Sequence, residues 1–232
     1  MKLSLIIPVL DEADAIAATL ASLQPLRAVG HEVIVVDGGS TDATVARAEP
    51  LADRVLTAPR GRARQMNAGA AVARGDVLVF LHADTRLPEH AVSAIRAALR
   101  HRLWGRFDVD IEGRAWMLRV VAAFMNLRSR LTGIATGDQT LFISRTAFAA
   151  VGGYPEQPLM EDIELSKHLK KLGPPACPRE RVVTSGRRWE ANGVWRTILL
   201  MWRLRFDYWR GVPAERLARR YGQRNRPQEA ME

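Results

Sequence analysis

The chain has 232 residues, 47% of them hydrophobic and 25% charged, with a formal net charge of +9. This is enough apolar material for one full core and too much for a disordered segment, while a single cysteine, Cys177, excludes an internal disulfide framework and fits a reducing compartment. The charge is uneven: residues 179–232 hold 13 arginines against 6 acids, a basic end suited to nucleic acid, anionic lipid or a phosphorylated acceptor.

The N-terminal stretch reads as a first strand over 3–8 rather than a leader, because Asp11, Glu12 and Asp14 follow at once and no small-residue cleavage site appears. Strands are then predicted over 31–37, 54–56 and 77–81, alternating with helices over 12–23, 41–49, 62–73 and 89–101. Repeated β-then-α units imply a largely parallel sheet with helices on both faces. A less regular half follows, with a strand over 104–111, a helix over 114–127, a strand over 140–144 and a short helix over 145–151. Over 161–172, Leu165, Leu169 and Leu172 recur at helical spacing and Gly173-Pro174 stops the run. Residues 194–209 read as a helix rich in Trp and Arg, and those after about Tyr221 as a disordered end. No stretch reaches the roughly 18 uninterrupted apolar residues of a spanning helix, since Arg119, Arg203 and Arg205 break the two candidates.

Four constellations carry chemistry. Val77 to Leu81 is an apolar run that stops at His82-Ala83-Asp84, and at the carboxyl end of a buried parallel strand such residues face a ligand crevice. On an extended segment His82 and Asp84 lie on one side, as metal ligands or diphosphate partners need; Asp84 favours Mg²⁺ or Mn²⁺. Asp37 ends the second strand before Gly38-Gly39-Ser40-Thr41-Asp42: the glycines allow close backbone approach to a ligand, Thr41 or Asp42 can cap the next helix, and Asp37 either does turn work or accepts from a base or ribose. Arg62, with its fork of donors, suits a diphosphate, and Gln65 or Asn67 could read a base edge; the same residues also make an ordinary solvated helix start. Glu161, Asp162 and Glu164 occupy one helical turn, where the helix dipole favours them, and one of them can act as a general base.

Ser4-Leu5-Ile6-Ile7-Pro8 with Asp11-Glu12, then Val35-Val36-Asp37-Gly38-Gly39-Ser40-Thr41-Asp42, then Leu81-His82-Ala83-Asp84-Thr85, then Glu161-Asp162, in that order, resemble a family 2 glycosyltransferase with a GT-A fold. The resemblance covers about residues 3–190, and is strongest to short bacterial proteins that carry Phe-Leu-His-Ala-Asp-Thr. It implies a Rossmann-like, mostly parallel sheet flanked by helices over residues 1–190, with 191–232 as a basic helical C-terminal extension. It further implies an inverting transfer of a hexose from a nucleoside-diphosphate sugar to an acceptor hydroxyl, lipid-linked or other. Pro8, Val9, Glu12, Asp37 and Gly39 would line the nucleoside pocket, Arg62, Gln65, Asn67, His82, Ala83, Asp84 and Arg188 the rest of the donor site, and Asp138 and Gln139 the acceptor side. Asp162 would be the catalytic base with Glu161 beside it, and Asp84 with His82 would hold a divalent cation. His82 stands where the family's metal motif has its first aspartate and supplies no negative charge, which weakens the expectation of metal dependence.

Trp195, Trp202 and Trp209 recur every seven residues, as do Arg196, Arg203 and Arg210, so two adjacent stripes form on a helix. They suit an anionic membrane surface, giving a cytoplasmic protein peripheral on the inner face of the cell membrane; equally, the tryptophans could pack the helix on the catalytic domain. A sugar-phosphate nucleotidyltransferase would open with a glycine-rich, lysine-containing loop after the first strand, and Pro8 to Glu12 has none. A non-catalytic nucleic-acid-binding protein would explain the basic end but not Asp37, Asp84 and Asp162, so nucleic acid is not expected as a partner.

Overall fold

The computed structural model describes residues 1–224, the side chains of Arg188, Gln223 and Arg224 excepted. The first half runs β1 (Leu3–Val9), α1 (Ala13–Ser22), α2 (Gln24–Ala28), β2 (Glu32–Asp37), α3 (Thr44–Ala48), β3 (Arg54–Thr57), α4 (Arg62–Val72), β4 (Val77–Phe80), β5 (Thr85–Arg86) and α5 (Ala91–Ala98). The second half runs β6 (Trp104–Arg106), β7 (Asp108–Glu112), α6 (Met117–Thr132), β8 (Leu141–Ser144), α7 (Arg145–Ala150), α8 (Glu161–Leu172), β9 (Arg181–Ser185), α9 (Arg187–Asn192), α10 (Val194–Trp209) and α11 (Ala214–Arg224). A six-stranded sheet has the order β3-β2-β1-β4-β8-β6; β3, β2, β1 and β4 are parallel and β8 is antiparallel to both its neighbours. A three-stranded sheet has the order β5-β9-β7.

The large sheet is buried on both faces, which is why its strands read as continuous apolar runs. Leu3, Leu5 and Ile7 pack one way against Ile16, Leu20 and Ile95, while Ile6, Ile34, Val36 and Phe80 pack the other way against Met66, Phe148, Leu165 and Leu169. The strand order reverses direction of growth between β1 and β4, so the carboxyl ends of β1, β2 and β4 open onto one crevice.

Four expectations are corrected. The strand over 104–111 is two strands in different sheets: Phe107 N–H donates to Gln139 O (2.9 Å), and the backbone changes partners there. The helix expected from 41 begins only at Thr44, because residues 38–42 are bound into a loop by Asp37 and Asp11. The helix expected over 114–127 runs to Thr132 and stops at Gly133, whose φ of 67° closes it in the left-handed conformation. The chain beyond Tyr221 remains helical to Arg224, and the rest of the expected disordered end, 225–232, lies outside the described residues.

The C-terminal helices do not trail free. Leu200 and Leu204 of α10 and Leu217 of α11 are buried with Met160, the residue that leads into α8. Tyr208 Oη donates to Glu164 Oε2 (2.8 Å), and Arg220 pairs with Asp207 across the hairpin (2.8 Å).

Candidate active site

β1 and β2 end in register at Val9 and Asp37, and the loops that leave them are sewn together. Asp37, only 4% exposed, accepts from Gly39 N–H (2.9 Å), from Ser40 N–H (3.1 Å) and from Ser40 Oγ–H (2.5 Å), so its carboxylate holds the glycine loop that follows it. Gly39 takes a φ of 95°, a conformation a side chain would strain. Across the crevice Asp11 Oδ1 accepts from Thr41 N–H (2.8 Å) and Thr44 Oγ1 accepts from Glu12 N–H (2.8 Å). The result is a rigid floor, with half-buried Pro8 and buried Val9 beneath it.

α4 contributes one cation to the crevice and two amides to its frame. Gln65 Nε2–H₂ donates to Val9 O and Val36 O, each at 2.8 Å, and is buried beneath Gly38. Asn67 clamps the backbone of Tyr154, donating to its carbonyl (2.8 Å) and accepting from its N–H (2.9 Å). Gln65 spends both N–H groups of its amide on the carbonyls of Val9 and Val36, and Asn67 spends one on Tyr154, so both amides bind the frame of the crevice. Arg62 keeps an exposed face but lies in a concave, acid-lined setting: burial opposes its charge, and Glu161, Asp138, Asp162 and Tyr221 outweigh that and hold its pKa above the ordinary range.

His82 and Asp84 do not lie on the extended segment that was expected to set them on one side. The chain turns directly after β4, with Thr85 N–H donating to His82 O (3.2 Å), so the two-residue alternation of an extended strand does not apply. His82 Nδ1 lies 3.3 Å from Asp138 Oδ1, and a Cβ on Gly137 would meet its Nε2 at 2.6 Å, so only a glycine fits against the imidazole. Asp84 lies 3.8 Å from Nε of Arg187, whose Nη2 is bound to Glu12. Ala83 is buried and its carbonyl accepts from Thr19 Oγ1 (2.6 Å). The strand alternation that placed His82 beside Asp84 as a second ligand is thus replaced by a turn. Among the described residues no group of three His, Cys, Asp or Glu side chains could hold a metal.

Asp162 opens α8, its Oδ1 accepting from Ile163 N–H (2.8 Å) and its Oδ2 from Gly137 N–H (2.9 Å). The Gly137-Asp138-Gln139 turn is thus tied to the base position. Asp138 is exposed toward His82, but Gln139 is fully buried, bonded to Thr136 and Asn126, and so holds the turn instead of meeting an acceptor. The three non-glycine residues with positive φ, among those described, are Asp11, Thr140 and Met160, one in each loop of this site; such strain collects where surrounding structure enforces a working geometry. Glu161 is 7% exposed, and burial first, Asp162 second, push its carboxyl from 4.5 up to about 7, with Arg62 and His82 pulling the other way.

That shift has a consequence for stability. Between 4.5 and about 7 the folded carboxyl holds a proton that the unfolded chain has released, so stability falls as pH rises through this window, by about 3 kcal/mol at most. Glu161→Gln is expected to flatten the dependence of Tm on pH there and to raise Tm above neutrality. Coincident Tm profiles for variant and wild type would rule the shift out.

Two contributors were not legible as such. Arg187, one residue before the expected Arg188, bridges Glu12 and Asp84; Arg188 lies in α9, but its side chain is outside those described. Tyr221 of α11 contributes to the field on Arg62, and nothing in an arginine-rich terminal segment signals that it folds back so far.

The family model for glycosyl transferase family 2 matches residues 4–149. Beta-monoglucosyldiacylglycerol synthase of Synechocystis sp. is 25% identical over 210 residues, 78% of this chain and 43% of that protein. A PGL/p-HBAD biosynthesis glycosyltransferase of Mycobacterium bovis is 32% identical over 160 residues, 65% of this chain and 62% of that one. The chain spans 28% to 62% of the length of the curated relatives it matches. The structure of glucosyl-3-phosphoglycerate synthase from Mycobacterium tuberculosis, in complex with Mg²⁺ and uridine diphosphate, superposes with a TM-score of 0.58 at 23% identity, over 79% of this chain and 70% of that one, a likeness of fold.

Proposed function

Since this chain belongs to glycosyl transferase family 2, we propose that it moves a sugar from a nucleoside-diphosphate sugar to an acceptor hydroxyl with inversion at the anomeric carbon. The reading rests on one observation: Asp37, Arg62, Asp84 and Asp162, four chemically distinct employments, come from loops and helix starts around one crevice at the carboxyl ends of β1, β2 and β4.

Asp162 takes the acceptor proton as the acceptor oxygen attacks C1 of the sugar; the bond from C1 to the diphosphate oxygen breaks and its electron pair leaves with the diphosphate. Asp162 is suited to this because two backbone N–H groups fix its orientation, while Arg62, held charged by the carboxylates around it, offsets the charge growing on the leaving group. Asp37 and the Gly38-Gly39 loop form the nucleoside wall. Asp84 is a single, largely buried carboxylate, the donor set that with the diphosphate's own oxygens fits Mg²⁺ or Mn²⁺; the ion would neutralise the diphosphate. Arg187 occupies the space beside Asp84 and would have to yield or share it.

Thermal stabilisation of the full chain by a panel of nucleoside diphosphates and their sugars, with and without Mn²⁺, tests the donor assignment. A stabilising nucleotide is expected; no response to any of them overturns it.

The acceptor side favours a lipid surface. In α10 the expected packing role falls to Leu200 and Leu204, while Trp195, Leu199, Trp202, Phe206 and Trp209 are 55–80% exposed. α6, against which α10 packs, adds exposed Phe124, Leu127 and Leu131, and Arg196, Arg203 and Arg210 flank the tryptophans. No helix among the described residues is long and apolar enough to cross a membrane, so this face would lie on the surface, with rings at headgroup depth and arginines on anionic lipid. Trp202→Ala with Trp209→Ala is expected to lower cosedimentation with phosphatidylglycerol vesicles by about tenfold; unchanged binding would leave the face without this role.

A further inference from the structure

Arg128 stands out from every other arginine described. Its Nε and Nη2 are buried and have no hydrogen-bond partner, although a guanidinium carries five donors that normally find acceptors. It lies near the C-terminal end of α6, within electrostatic reach of Arg205 on α10, of Arg106 and of Asp162. Arg106, fully buried where Arg128 is half-buried, has its fork filled by Ser129, Asp108 and the carbonyl of Asn126. Arg128 therefore lacks what Arg106 has. Burial, then the charge of Arg205, push the Arg128 pKa down to about 10, with Asp162 pulling it up and Arg106 adding to the fall. Arg205 is half-buried, and neither it nor Arg128 has a carboxylate within ion-pair distance among the described residues.

Two neighbouring cations, one with unfilled donors, form a seat for an oxyanion, and a guanidinium fork matches two oxygens of a phosphate. The surroundings define what carries that phosphate. Phe124 and Leu131 lie four residues before and three after Arg128 on α6, and Trp202 and Trp209 three before and four after Arg205 on α10, so each arginine shares its helix face with exposed apolar side chains. We propose that Arg128 and Arg205 bind a phosphate group of the acceptor and hold its hydroxyl end toward Asp162, the apolar rim taking the remainder of an amphiphilic acceptor. This rests on the glycosyltransferase reading, and names the acceptor's chemistry within it.

The test uses the full chain labelled with ¹⁵N-arginine and inorganic phosphate as the probe, read by the Nε–H signals, alongside Arg128→Gln, Arg128→Lys and Arg205→Gln. Phosphate is expected to move the wild-type Arg128 signal saturably. Arg128→Gln should weaken phosphate affinity about tenfold or more, with Lys, which keeps charge but loses the fork, falling between. Arg205→Gln carries the test if Arg128→Gln does not fold. Displacement of phosphate by phosphatidic acid vesicles, and not by phosphatidylcholine vesicles, would assign the phosphate to a lipid headgroup; displacement by glycerol 3-phosphate alone would assign it to a soluble acceptor. A folded Arg128→Gln chain that binds phosphate as the wild type does overturns the seat. Nucleoside diphosphate binding is measured in parallel: its loss in the wild type, with Arg128-dependent phosphate binding intact, would sink the donor reading and leave the seat standing.

Discussion

Asp162→Asn is expected to reduce kcat by about 10²–10⁴, the usual worth of a positioned general base, while leaving nucleoside diphosphate affinity within about twofold. The second half of this expectation follows from geometry. Asp162 does not touch the nucleoside wall; its two oxygens accept from Ile163 and Gly137. Asparagine has one acceptor oxygen, so one of these N–H groups would face an NH₂, costing about 1–3 kcal/mol and loosening the Gly137 turn. A modest fall in Tm is therefore part of the result and does not itself explain a rate loss of this size. Removing the charge also relieves Glu161, whose raised pKa owes its second-largest contribution to Asp162, so the Glu161 carboxyl should titrate lower in the variant. Steady-state kinetics with the donor found by nucleotide screening decide the matter: a folded variant with wild-type kcat would remove Asp162 from the base role.

The fold's first half was legible because each β-then-α unit carries its own punctuation. Two later helices, Glu161–Leu172 and Val194–Trp209, were bounded to the residue, since glycines stop or start them and leucines or tryptophans set the period. What escaped depends on partners distant in the chain. The split at Phe107 is imposed by a carbonyl of Gln139, and β9 exists only because β7 and β5 offer it edges. The same division holds in the site. The placement of three carboxylates, Asp37 at the end of β2, Asp84 just past β4 and Asp162 in the first turn of α8, was legible because strand and helix ends are marked in the sequence. The contacts of the amides were not: nothing in the sequence says that Gln65 meets the carbonyls of Val9 and Val36, Asn67 the backbone of Tyr154, or Gln139 the Asn126 side chain. The alternation expected of His82 and Asp84 gave way for a local reason, the turn that begins at the His82 carbonyl.

Arg62→Gln is expected to cost about 10²-fold in kcat and to move the acid limb of the pH–rate profile to higher pH. Arg62 faces Glu161, Asp138 and Asp162, so it is the counter-charge that lets several carboxylates share a crevice. Its removal has two separable effects. The leaving diphosphate loses a compensating cation, which lowers the plateau of kcat. Glu161 loses a charge that favours its ionised form, so its carboxyl, already at about 7, rises further and loses its proton later beside Asp162. The sign carries into stability: ionised carboxylates without a cation repel, so the variant should lose more Tm above neutrality than at pH about 5, where Glu161 is protonated in both proteins. A change in plateau alone, with the acid limb unmoved, would confine Arg62 to the donor and remove it from the titration of Glu161. A shift of the limb together with a larger Tm loss at high pH would tie both ends of the crevice, leaving group and base, to one guanidinium at the start of α4.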